Sequence, residues 1–166
     1  PFQMSMQFPI ERFRGQSTPF YYYDLDLLDR TLGAVTEASG YPGFKVHYAM
    51  KANANPAVIQ RIARAGLGVD VVSGGEVEAA LLNGFSAGKI VFAGVGKTDA
   101  EIEAALRAGI ACFNVESEAE FEVIEDIARR LNVKASVAFR VNPEIDAHTH
   151  HYITTGLAEN KFGVSM

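Results

Sequence analysis

The sequence predicts an α/β protein with parallel strands, a partial (β/α)8 barrel of about five βα units. Three observations predict it. Short apolar runs alternate strictly with helical stretches, which requires crossover connections and hence parallel strands. The runs begin at even intervals, near Phe44, Gly68, Lys89, Ile110 and Lys134. Three of the intervening helices open on the same signal, a serine or threonine followed three residues later by glutamate. Even spacing suits a barrel better than a doubly wound sheet, although spacing alone does not establish closure. A closed barrel of this kind takes eight units, so the five counted leave it incomplete.

Taken in order, Thr18-Pro19-Phe20-Tyr21-Tyr22-Tyr23 reads as an extended aromatic segment. Asp24 caps a helix from Leu25 to Ser39, with Leu27, Leu28, Leu32 and Val35 at helical spacing. Gly40 stops that helix and Tyr41-Pro42-Gly43 turns the chain. Phe44–Met50 reads as the first strand. Asn55 then caps a helix with Pro56 at its first position, running to Ala65. Gly68–Val72 is the second strand, and Ser73 with Glu76 forms a capping-box pattern for a helix reaching Asn83. Lys89–Ala93 is the third strand, followed by a Thr98/Glu101 box and a helix ending at Gly109. Ile110–Val115 is the fourth, followed by a Ser117/Glu120 box and a helix to Leu131. Lys134–Arg140 is the fifth. Ile90-Val91-Phe92 and Val137-Ala138-Phe139 are apolar throughout, as parallel strands buried on both faces are. From Asn142 to Met166 the pattern gives way to a polar loop with three histidines, and loops of such length are commonly functional or mobile.

Composition narrows the function. The 166 residues are 48% hydrophobic and 21% charged, enough for one domain with a core. A net charge of -5, with basic residues scattered rather than striped, argues against nucleic acid and anionic membranes. One cysteine, Cys112, excludes an internal disulfide and a cysteine-rich zinc site and favours a cytoplasmic setting. No apolar run approaches the ~20 residues that span a bilayer, and residues 1–7 lack the pattern of a signal peptide. No metal site is expected, because the cluster His148, His150 and His151 has no second ligand set nearby in sequence.

In a parallel barrel the residues just past each strand face one shared site. Here these are Lys51; Asp70 with Ser73-Gly74-Gly75-Glu76; Gly94-Val95-Gly96-Lys97; Asn114 and Glu116; and Arg140 and Asn142. A lysine at a low-dielectric rim can act as a Schiff-base nucleophile. The same position also suits an ordinary lysine snorkelling to water. Asp70 has an alternative use as a helix cap, and Arg140 as an ion-pair partner. Gly94-Val95-Gly96-Lys97 lacks the spacing of a phosphate-binding P-loop.

Several stretches together resemble the diaminopimelate decarboxylases. They are Tyr48-Ala49-Met50-Lys51-Ala52-Asn53, Gly68 to Glu76, Gly94-Val95-Gly96-Lys97-Thr98-Asp99, Phe113-Asn114-Val115-Glu116-Ser117, Arg140-Val141-Asn142-Pro143 and the stretch Thr149 to Gly163. Those enzymes are fold-type III pyridoxal phosphate decarboxylases, with an alanine racemase-like barrel and relatives acting on ornithine and arginine. The resemblance implies conversion of meso-2,6-diaminopimelate to L-lysine in lysine biosynthesis, with pyridoxal 5'-phosphate as cofactor and a homodimer as the assembly. It implies that Lys51 is the catalytic lysine that forms the Schiff base with the cofactor. Asp70 matches an acidic residue near the cofactor, Arg140 the arginine near its phenolic oxygen, and Glu76 a carboxylate on the same rim. Asn142–Gly163, which contains His150, resembles the mobile active-site loop.

The resemblance further implies that residues 25–166 are the N-terminal portion of the cofactor-binding barrel, and that residues 1–24 belong with a C-terminal β domain lacking here. Such a portion is expected to be inactive alone and to self-associate through open sheet edges. Other readings are a decarboxylase for ornithine, arginine or carboxynorspermidine, a cofactor-binding homologue without turnover, and a cofactor-free Schiff-base aldolase.

Overall fold

The computed structural model describes residues 8–142 and 163–165. Helix α1 (Ile10–Phe13) and helix α2 (Leu25–Ala38) precede an alternating series. That series is β1 (His47–Ala49), α3 (Pro56–Arg64), β2 (Gly68–Val71), α4 (Gly74–Leu82), β3 (Ile90–Phe92), α5 (Asp99–Ala108), β4 (Cys112–Val115), α6 (Glu118–Leu131) and β5 (Val137–Phe139). The five strands form one parallel sheet in the order β1-β2-β3-β4-β5. Beyond Arg140, β6 (Val141–Asn142) pairs in parallel with β7 (Val164–Ser165) as a separate ribbon. A five-stranded parallel sheet with sequential order and intervening helices is the N-terminal part of a (β/α) barrel, as the alternation predicts.

The core lies between the sheet and its helices. Val69, Val71, Ile90, Phe92, Phe113 and Val115 point to that side and are almost wholly buried. They meet Ile59 and Ile62 of α3, Ile102 of α5, and Ile124 and Ile127 of α6 in one continuous cluster. Because side chains alternate along a strand, the residues between them face the opposite, concave side. The register sets Ala49 beside Asp70, Asp70 beside Val91, and Asn114 beside Ala138. This side is half-buried, with Ala138 exposed at its end, and Phe139, which pairs with Val115 on the helix side and packs against Phe121 of α6, is still 49% exposed. The expectation of two fully buried faces for Val137–Phe139 therefore does not hold among the described residues.

Local departures from the sequence reading have physical causes. The first strand is only His47–Ala49, because Met50–Ala52 coils into a 3-10 turn closed by Asn53 N–H on the Met50 carbonyl at 3.1 Å. Lys51 thus sits in a tight turn past the strand. The fifth strand starts at Val137 rather than Lys134, and Arg140 extends its ladder by donating to the Val115 carbonyl at 2.9 Å.

Residues 8–24 are not extended throughout. Helix α1 interrupts them, and Phe13 packs edge-on and tilted against Tyr22 and Phe20. Only Thr98/Glu101 forms a reciprocal capping box. Ser73 and Ser117 do cap their helices. Glu76 and Glu120, however, reach one residue further back, to the N–H groups of Val72 (2.7 Å) and Glu116 (2.9 Å).

Candidate functional site

The C-terminal ends of all five strands open onto one cavity of about 600 Å³. Its polar wall is made by Lys51, Asp70, Asn114, Glu116 and Arg140, with Val72, Gly94 and Phe139 supplying apolar and backbone surface. Two cations and two carboxylates thus face one space, carried by four different βα junctions.

Lys51 is exposed in the turn after β1. Tyr48, two residues before the turn, donates its hydroxyl to the Asn53 carbonyl at 3.0 Å and braces the turn from the other end. Asp70 lies on β2, its Cα opposite that of Ala49. Burial raises the Asp70 carboxyl above the ordinary range, while the charges of Lys51 and His47 pull it partly back. Asp70 is thus a carboxylate whose proton is held more firmly than usual, within electrostatic reach of an exposed amine.

Glu116 follows β4 and is 6% exposed. Its carboxylate accepts the Gly94 N–H at 3.3 Å and faces Arg140 Nη1 at 3.3 and 3.4 Å. Arg140 keeps 46% of its side chain exposed. Its carbonyl accepts the Val164 N–H at 2.7 Å, which seats β7 against the end of the site. Gly163 approaches so closely that a Cβ there would lie 2.6 Å from the Arg140 carbonyl oxygen, at φ +97°. Gly94 likewise has φ +105°, where a Cβ would lie 3.2 Å from the Val72 carbonyl oxygen. Both positions need glycine.

Lys51, Asp70 and Arg140 therefore come together, as the strand-end reasoning expects. Glu76 does not line the cavity. It is partly buried, and its carboxylate binds the Val72 N–H instead. The histidine cluster and the loop from Pro143 to Phe162 lie outside the described residues. Sequence reasoning put Glu116 and Asn114 at strand ends without assigning them a role. It also put Lys97 on that rim without assigning it a role or foreseeing its burial, and the side chain is fully buried beneath the cavity wall. Only the recurrence of Glu three residues after Ser117 pointed to its partner, Glu120.

An exposed amine and a partly exposed guanidinium on one cavity suit a group that carries a carbonyl for the amine and an anionic oxygen for the guanidinium.

Comparison with known proteins follows the same line. Residues 28–166 match the family model described as pyridoxal-dependent decarboxylase, pyridoxal binding domain. The chain is 59% identical over 160 residues to diaminopimelate decarboxylase of Bacteroides thetaiotaomicron, covering 96% of the chain and 42% of that protein. It is 45% identical over 161 residues to that of Vibrio cholerae, covering 96% and 39%. The crystal structure of diaminopimelate decarboxylase from Helicobacter pylori complexed with L-lysine superposes with TM-score 0.83 at 45% identity, over 94% of this chain and 40% of that one. The chain thus spans about 40% of the length of the curated relatives it matches.

Proposed function

The chain belongs to the pyridoxal-dependent decarboxylases, matching their pyridoxal binding domain, and on that premise we propose that it serves the decarboxylation of meso-2,6-diaminopimelate to L-lysine. We take the full-length enzyme to be this chain together with the remaining length that its relatives have. The observation that carries the reading is the convergence of Lys51, Asp70 and Arg140 on one cavity at the strand ends. The identity to diaminopimelate decarboxylases supports the choice of substrate.

When bound, pyridoxal phosphate supplies the electron sink that takes up the charge left as carbon dioxide departs. Lys51 would hold it covalently through Nζ, from a turn fixed at both ends by the Asn53 backbone. Asp70, with its proton held more firmly than usual, would exchange protons with the Lys51 amine as that amine binds and is displaced. Arg140, steadied by Glu116, would orient the ring through an anionic oxygen. Val72 and Phe139 would supply apolar wall beside the bound group. Glu76 acts indirectly, by fixing the Val72 N–H at the cavity edge. We further infer a homodimer in the cytoplasm, a reading that rests on the family resemblance. No described helix is long and apolar enough to cross a membrane.

The test is borohydride trapping in the full-length enzyme. The wild type is expected to yield a reduced cofactor adduct on the peptide carrying Lys51, and Lys51→Ala to yield none. Retention of the adduct in that variant would sink the assignment. Carbon dioxide release from meso-2,6-diaminopimelate, compared with ornithine and arginine, tests the substrate.

A further inference from the structure

Lys97 presents a problem of desolvation. Its side chain has no exposed surface, and removing an ammonium from water carries a penalty of several kcal/mol unless every proton finds an acceptor. Here all three do. Nζ donates to the Gly94 carbonyl at 2.7 Å, the Asn114 carbonyl at 2.9 Å and Glu120 Oε1 at 2.6 Å. Its charge also lies 5.5 Å from the centroid of Phe92.

Two of the three acceptors, Gly94 and Asn114, line the cavity. The third leads back to it. Glu120 Oε2 accepts the Glu116 N–H at 2.9 Å, and Glu116 Oε1 accepts the Gly94 N–H at 3.3 Å. Lys97, Gly94, Glu116 and Glu120 therefore close a ring of hydrogen bonds that joins the end of β3, the end of β4 and the first turn of α6. Arg140 attaches to this ring through the Glu116 carboxylate.

We propose that Lys97 is a positioning residue for the cavity, closing a four-residue ring that fixes Glu116 and, through it, the guanidinium of Arg140. The electrostatics require the lysine. The charged groups on the ring are Lys97, Glu120 and Glu116, with Arg140 beyond. Lys97 neutralises Glu120 and leaves the Glu116 charge to Arg140. Without it, two carboxylates adjoin in a partly buried place and repel one another, and Glu116 leaves its position.

The proposal rests on the decarboxylase reading only for the readout of turnover. The primary experiment needs no cofactor. In cofactor-free full-length enzyme, modification of Arg140 by phenylglyoxal is followed by peptide mass spectrometry. Lys97→Met is expected to quicken it about tenfold, as loss of a charge-assisted partner would. Adding Glu120→Gln, which removes the unbalanced charge, is expected to reverse most of that change. In the loaded enzyme, Lys97→Met lowers kcat/KM about 100-fold, the effect of an ångström-scale misplacement, and Glu120→Gln restores about tenfold of it. A purely structural lysine would show no such reversal. An Arg140 rate unchanged in folded Lys97→Met overturns the proposal, as does a change that Glu120→Gln fails to reverse. If Lys97→Met does not fold, Glu120→Gln alone carries the test, and an unaltered Arg140 rate there overturns it. A wild type that forms no adduct at Lys51, with the Arg140 result intact, sinks the decarboxylase reading alone.

Discussion

Glu116 and Arg140 meet at 3.3 Å across the end of the sheet, the acid almost wholly buried and the guanidinium nearly half exposed. The asymmetry decides what the contact does. A buried carboxylate needs a cation, whereas an exposed guanidinium has water available. Glu116→Gln keeps the shape and an acceptor for the Gly94 N–H but removes the charge. It is expected to destabilise the full-length enzyme by only about 1 kcal/mol, since the arginine is partly solvated. It is also expected to weaken pyridoxal phosphate binding in equilibrium dialysis. Unchanged cofactor affinity in Glu116→Gln would separate Glu116 from the site.

Asp70 gives a pH dependence with an unusual sign. Its folded-state carboxyl is raised above the ordinary value, chiefly by burial. The folded protein therefore holds this proton where the unfolded chain has released it. Stability from this group is present in acid and declines as pH rises from the ordinary aspartate range through the raised value. In cofactor-free protein, Asp70→Asn should remove that decline. Its urea midpoint should exceed the wild type's at neutral pH, with the difference closing in acid. A difference that grows in acid would contradict the burial argument.

Glu101 has the opposite sign. Its carboxylate accepts the N–H groups of Thr98 at 2.9 Å and Gly74 at 2.6 Å, tying the start of α4 to that of α5, and these bonds lower its pKa. Glu101→Gln should cost about 1 kcal/mol at neutral pH, the usual worth of a helix-start interaction. The loss should fade as pH falls through the lowered value, because protonation disarms the wild type there too. Chemical denaturation at several pH values measures both.

Gly163 makes the closest backbone approach in the site. An alanine there would meet the Arg140 carbonyl at 2.6 Å while forced to φ +97°. Gly163→Ala is expected to cost more than about 1 kcal/mol and to break the Val164–Arg140 hydrogen bond. Faster amide exchange at Val164, measured by mass spectrometry, is the direct readout. Exchange equal to the wild type's would show that the backbone accommodates the methyl group.

The fold was legible because its signals are local and repeated. Asn55, Ser73, Thr98 and Ser117 each cap the helix expected of them. The Val-x-Val of β2 and the Ile-x-Phe of β3 bury the same face. Lys51, Asp70 and Arg140 were legible through their strand-end positions and the motifs around them. The burial of Lys97, read only as a strand-end residue, was not, because it depends on a left-handed Gly94 folding the loop back beneath β3, a tertiary outcome with no periodic trace. Glu76 misled for the opposite reason. Its spacing from Ser73 is that of a box, yet the side chain reaches Val72, so its rim position became a backbone contact. The shortened first strand has a similar origin, since a 3-10 turn at Met50–Ala52 looks apolar and continuous in sequence.

The strand order, β1 to β5 without interruption, also bears on how the site is made. Each strand pairs with the one synthesised just before it, Val69 with Ile90 and Phe113 with Val137. A chain leaving the ribosome can therefore lay down these five strands in the order of translation. Lys51 and Asp70 become neighbours as soon as β2 docks. Arg140 joins them three strands later, on a wall already standing.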